Sequence, residues 1–128
     1  MNTIYLSTNQ LIKLEIIGYD EPNNGRALHV VNLDINGELQ NETYFGNWNR
    51  LNENLSEYNM NSLCGNFAFI PAEGNGFLID TNTFKKINLP YKALSTLLFI
   101  GNYFTKNELI INYSDETVEI KFDDLNNF

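Results

Sequence analysis

The sequence predicts an α+β fold: a mainly antiparallel β-sheet of several hairpins, with two helices packed on one face. Three observations predict it. Asn36-Gly37 sits between apolar alternations, which is a hairpin signature. Trp48, Leu51, Leu55 and Tyr58 recur at spacings of three, four and three, making one stripe of an amphipathic helix. The stretch ELIINYSDETVEIKF (108–122) holds two alternating segments of matching parity around a polar turn. The order is strands, helix, strands, helix, strands, without regular βαβ alternation, and residues 1–128 read as one domain.

Residues 3–6 (TIYL) predict a short strand. In residues 10–19, Ile12, Leu14 and Ile16 point one way and Lys13 and Glu15 the other, as in a half-buried strand. The turn formers of 20–25 break the chain before the Asn36-Gly37 hairpin. Two registers compete there. A two-residue loop sets Ile35 opposite Glu38 and, further out, Leu33 opposite Gln40 and Val31 opposite Glu42. A three-residue loop sets Asp34 opposite Glu38 and Leu33 opposite Leu39, which keeps apolar residues together. The expectation is therefore the three-residue loop, with a G1 bulge at Gly37.

Asn47 suits a helix cap, and the Trp48–Tyr58 stripe predicts a helix to about Asn59, with Glu53 and Glu57 on its outer face. FAFI (67–70), GFLID (76–80) and FKKIN (84–88) predict strands, the last two joined through residues 81–83. Pro90 suits a helix start, and Ala93, Leu94, Leu97, Leu98 and Gly101 share a face of a second helix. The run STLLFI (95–100) also fits a buried strand. In the last hairpin, Ser114 opposite Thr117 sets Tyr113 against Val118, Ile111 against Ile120 and Leu109 against Phe122.

Lys+Arg number 8 and Asp+Glu 16, for a formal charge of −8. Such a balance disfavours nucleic acid and anionic membranes and favours basic partners or plain solubility. The charge is uneven, because residues 81–107 carry Lys85, Lys86, Lys92 and Lys106 and no carboxylate. These lysines with Phe84, Tyr91, Tyr103 and Phe104 would suit single-stranded nucleic acid, but the net charge opposes it. No apolar run approaches the ~20 residues that cross a bilayer. The first ten residues lack a basic segment followed by a long apolar one, so no signal peptide is expected and a cytoplasmic location is.

Chemistry-bearing motifs are scarce. His29 is the only histidine and Cys64 the only cysteine, so no internal disulfide forms and no HxxxH or CxxC pair exists. His29 reads as a partly buried, hydrogen-bonded side chain, and Cys64 as a small buried residue. Asp34-Ile-Asn-Gly-Glu38 and Asp80-Thr-Asn82 place oxygen ligands at alternate positions, but neither extends into a calcium loop, and both read as turns. Phosphate-binding, GxSxG and Rossmann fingerprints are missing. No catalytic residue, metal site or cofactor is assigned.

Tyr44, Trp48 and Tyr58 fall with Glu38, Glu42, Glu53 and Glu57 within 21 residues. Aromatic anchors beside carboxylates suit a basic protein surface. Glu38, Glu42, Tyr44, Glu53 and Glu57 are the candidate protein-binding residues. The plainer reading puts the aromatics in the core and leaves the carboxylates to solvate the fold. In size and charge alone, not in motif, the chain resembles bacterial immunity proteins, which neutralise basic toxins by binding them. The leading expectation is a non-enzymatic inhibitor or immunity protein for a basic toxin or enzyme. One alternative is a small enzyme or ligand-binding domain with a pocket between sheet and helices, using His29, Cys64 and nearby carboxylates. Another is a self-associating structural subunit.

Overall fold

A computed structural model describes residues 3–20, 28–40, 44–46, 58–71, 76–89, 99–113 and 116–125. These residues form three antiparallel sheets. The first has five strands. β1 (Thr3–Leu6) pairs with β2 (Ile12–Asp20), β2 with β3 (Leu28–Ile35), and β3 with both β4 (Glu38–Leu39) and β5 (Tyr44–Gly46). The period-two pattern of β2 holds: Ile12, Leu14 and Ile16 are buried, while Lys13 and Glu15 are half-exposed. In register, Tyr5 faces Leu14 and Leu14 faces Leu33, so one face of the sheet lies on the core. A bulge between Ile16 and Gly18 shifts the β2–β3 ladder.

The β3–β4 turn corrects the expected three-residue loop. Ile35 pairs with Glu38 and Asp34 with Leu39, so the loop is Asn36-Gly37 alone. Both turn residues have positive φ, 53° and 84°, as a type I′ turn requires. The Gly37 amide donates to Asp34 Oδ1 at 3.0 Å. The three-residue loop is favoured only where one continuous partner strand runs along β3. Instead β4 has two residues, and β5 re-pairs in a register shifted by two, with Val31 opposite Tyr44 and His29 opposite Gly46. The Leu33–Gln40 pairing does occur, with Gln40 N donating to Leu33 O at 2.8 Å, but Val31 meets Tyr44 and not Glu42, and the type I′ turn prevails.

The second sheet has the order β11-β10-β9, with β9 (Phe99–Phe104), β10 (Glu108–Tyr113) and β11 (Thr117–Lys121). A 3-10 turn, Phe122–Leu125, follows. Leu109, Ile111, Tyr113, Val118 and Ile120 are buried, as their shared parity predicts. The register differs by two from the expected one: Ile111 faces Val118 and Leu109 faces Ile120. The Tyr113 amide donates to the Glu116 carbonyl at 2.8 Å, next to the Asn112–Thr117 pair. A slip of two keeps every side chain on its face, so the hydrophobic pattern alone does not discriminate.

The third sheet joins β6 (Phe67–Ile70), β7 (Phe77–Asp80) and β8 (Lys86–Asn88) as a meander; strands in these three stretches are expected from the sequence, their pairing is not. Residues 60–62 add to its edge. Phe69 N donates to Met60 O at 2.7 Å, Asn61 bridges Ala68, and Ser62 N donates to Phe67 O at 3.0 Å. One core cluster draws on all three sheets.

The α+β class with two packed helices is therefore corrected. Among the described residues the only helical element is the 3-10 turn. Residues 47–57 and 90–98 lie outside the described residues. The ends of both expected helices are described and are not helical. Tyr58 and Asn59 belong to no helix: the Tyr58 ring lies 4.8 Å from Tyr5 and 6.3 Å from Phe69, and its hydroxyl donates to the Phe69 carbonyl. At the other end, Phe99 pairs with Tyr113 and Gly101 with Asn112. Those backbone groups belong to a ladder, so tertiary pairing overrides the helical stripe.

Candidate functional site

Of the expected binding residues, Glu38 is exposed beside the β3–β4 turn. Tyr44 lies in β5 opposite Val31, while Glu38 lies opposite Ile35. Both thus flank β3, at positions ~13 Å apart along the strand. Glu42, Glu53 and Glu57 lie outside the described residues, as does Trp48. His29 sits in β3 between Tyr19 and Gly46, in the first sheet, whereas Cys64 lies in the turn leading to β6.

Cys64 is exposed, which corrects the expectation of a buried small residue. Its thiol titrates below its ordinary value because the Asn66 backbone amide, and then the Ser62 hydroxyl, stabilise the thiolate. Ser62 Oγ lies 3.6 Å from Sγ. The Asp80 segment is a turn: Asp80 Oδ1 accepts from the amides of Asn82 at 2.8 Å and Thr83 at 3.0 Å. Its carboxylate is committed to the backbone, as in other Asx turns. Among the described residues no group of three His, Cys, Asp or Glu side chains could hold a metal ion. Among them also, no helix is long and apolar enough to cross a membrane.

Two asparagines and a serine tie the loops at one end together. Asn61 Oδ1 accepts from Thr8 N at 3.0 Å, and its Nδ2 donates to Leu6 O at 3.1 Å. Asn9 Nδ2 reaches Thr81 O at 2.8 Å. Buried Ser7 donates to Asn9 Oδ1 at 2.7 Å and accepts from Ile12 N at 3.0 Å. These bonds fix β1 and the start of β2 against the third sheet.

The outer face of the first sheet is what that frame holds out to solvent. Leu6 faces Lys13, Lys13 faces Asp34, and Asp34 faces Leu39, so these four form one row across four strands. Ile4, Glu15 and Asn32 form the next row. Leu11 joins the same face by alternation with Ile12, and its carbonyl accepts from Asn36 N at 2.6 Å. Ile4, Leu6, Leu11 and Leu39 are 42–59% exposed. Sequence reasoning missed this face because Ile and Leu at such positions read as core, and register alone turns them outward.

Comparison with protein-family models, with curated proteins and with solved structures returned no match.

Proposed function

We propose that the chain is a cytoplasmic, non-enzymatic binding module that presents an acidic surface to a basic protein, in the manner of an inhibitor or immunity protein. The observation that carries this reading is the formal charge of −8 on 128 residues. A charge of that size speeds encounter with an oppositely charged partner and repels acidic ones. Glu38, exposed beside exposed Leu39 at a hairpin tip, supports it as a carboxylate next to an apolar anchor.

The test is a capture from the source organism, followed by purification of the captured protein and titration over a range of salt. A partner of high isoelectric point whose association slows steeply as salt rises agrees with the proposal. An affinity indifferent to salt contradicts electrostatic recognition.

A further inference from the structure

We infer that the outer face of the first sheet is the surface that docks the partner, and that the partner presents there a segment interleaving aliphatic side chains with lysine or arginine. This rests on the proposed binding function. The strands β1 to β4 have one covered face and one open face. Leu14 and Leu33 are fully buried on the covered side. Ile4, Leu6, Leu11 and Leu39 stand on the open side around Lys13, Glu15, Asn32 and Asp34. Leu6 and Leu39 lie three strand spacings apart, ~14 Å, and Ile4 and Leu6 ~7 Å along β1. That is the footprint of one strand or one helix face of a partner.

Charge selects the occupant. Among the described residues, Glu15 and Asp34 on the face outnumber its one cation, Lys13. One Asp34 oxygen accepts from the Gly37 amide, which leaves its charge in place. A second copy would bring −8 against −8 and press these carboxylates together. A basic segment neutralises them while its aliphatic groups cover the exposed Ile and Leu side chains.

The experiment is a titration of 15N-labelled protein at low ionic strength with three peptides: alternating lysine and leucine, oligolysine, and alternating glutamate and leucine. The lysine–leucine peptide is expected to shift the amides of Leu6, Lys13, Glu15, Asp34 and Leu39. Leu6→Ser with Leu39→Ser is expected to weaken it at least tenfold at an unchanged melting temperature, and Glu15→Lys to weaken it further. Shifts confined to other surfaces, or a double variant that binds as the parent does, overturn the assignment of this face and leave the acidic-module reading standing. If no basic peptide binds, the function itself fails. Equal binding of the glutamate–leucine peptide overturns the charge argument. Concentration-dependent shifts of this face without peptide, with a dimer in sedimentation, assign it to a second copy instead.

Discussion

The first and third sheets use the same residue types to opposite ends. In β6 and β7, successive residues are buried on both faces: Ala68, Phe69 and Ile70, then Phe77, Leu78 and Ile79. Such continuous apolar runs belong to strands covered on both sides. In β2 the apolar residues alternate with Lys13 and Glu15, and only one face is covered. The isoleucines and leucines of β1 and β4 that point the other way stand in solvent. Position in the register, not residue type, separates stabilising side chains from those free to meet a partner.

The contrast is broken most strongly from the third sheet. Phe69 is completely buried and packs near Tyr58. Phe69→Ala is expected to cost about 3–5 kcal/mol, seen as a lower denaturant midpoint at unchanged slope. Asn102→Ala comes next. Asn102 is buried, its Oδ1 accepts from Asn59 N at 2.9 Å, and its Nδ2 donates to Asn59 O at 2.8 Å. Truncation strands both backbone groups, at a cost of about 1–3 kcal/mol in the same assay.

Gly37→Ala sharpens the account of the turn that delivers Leu39 to the open face. A Cβ there meets nothing within 4 Å, so the cost is that of the left-handed backbone alone, about 1–2 kcal/mol. A cost near zero would mean that the type I′ turn is wrong.

Tyr58 marks where the two regions meet, between Tyr5 of the first sheet and Phe69 of the third. Tyr58→Phe is expected to cost about 0.5–1.5 kcal/mol for the lost bond to the Phe69 carbonyl. Burial, reinforced by Tyr5, raises the Tyr58 phenol well above its ordinary 10.0. The unfolded chain therefore gives up this proton first as pH rises. The contribution to stability is complete below about pH 10 and is lost as pH climbs through the native value, so unfolding measured against pH should show a shallower alkaline decline in the phenylalanine variant.

How far these regions were legible follows from the physics of each. The faces of β2, β10 and β11 were readable because parity along a strand survives any even slip. The β10–β11 register was not, since slips of two leave the pattern intact, and only the Tyr113–Glu116 bond distinguishes them. The β3–β4 register failed for another reason: the choice weighed pairings beyond Gln40, where β4 has already ended. Tyr58 fits a helical spacing, yet its ring fills a core site between sheets, and nothing local records that. Glu38 does follow the turn, but opposite Ile35 and not opposite Asp34 as the three-residue loop required. The open aliphatic face was illegible, because Leu6 and Leu39 become neighbours of Lys13 and Asp34 only after four strands are aligned.

The claim that this face is free can be tested most directly by equilibrium unfolding of the Leu6→Ser, Leu39→Ser double variant. Exposed positions of this kind contribute little, so each change should move stability by no more than about 0.5 kcal/mol. A combined loss of several kcal/mol, in the range of a buried leucine, would show that the face is already covered within the protein and is not a surface awaiting a partner.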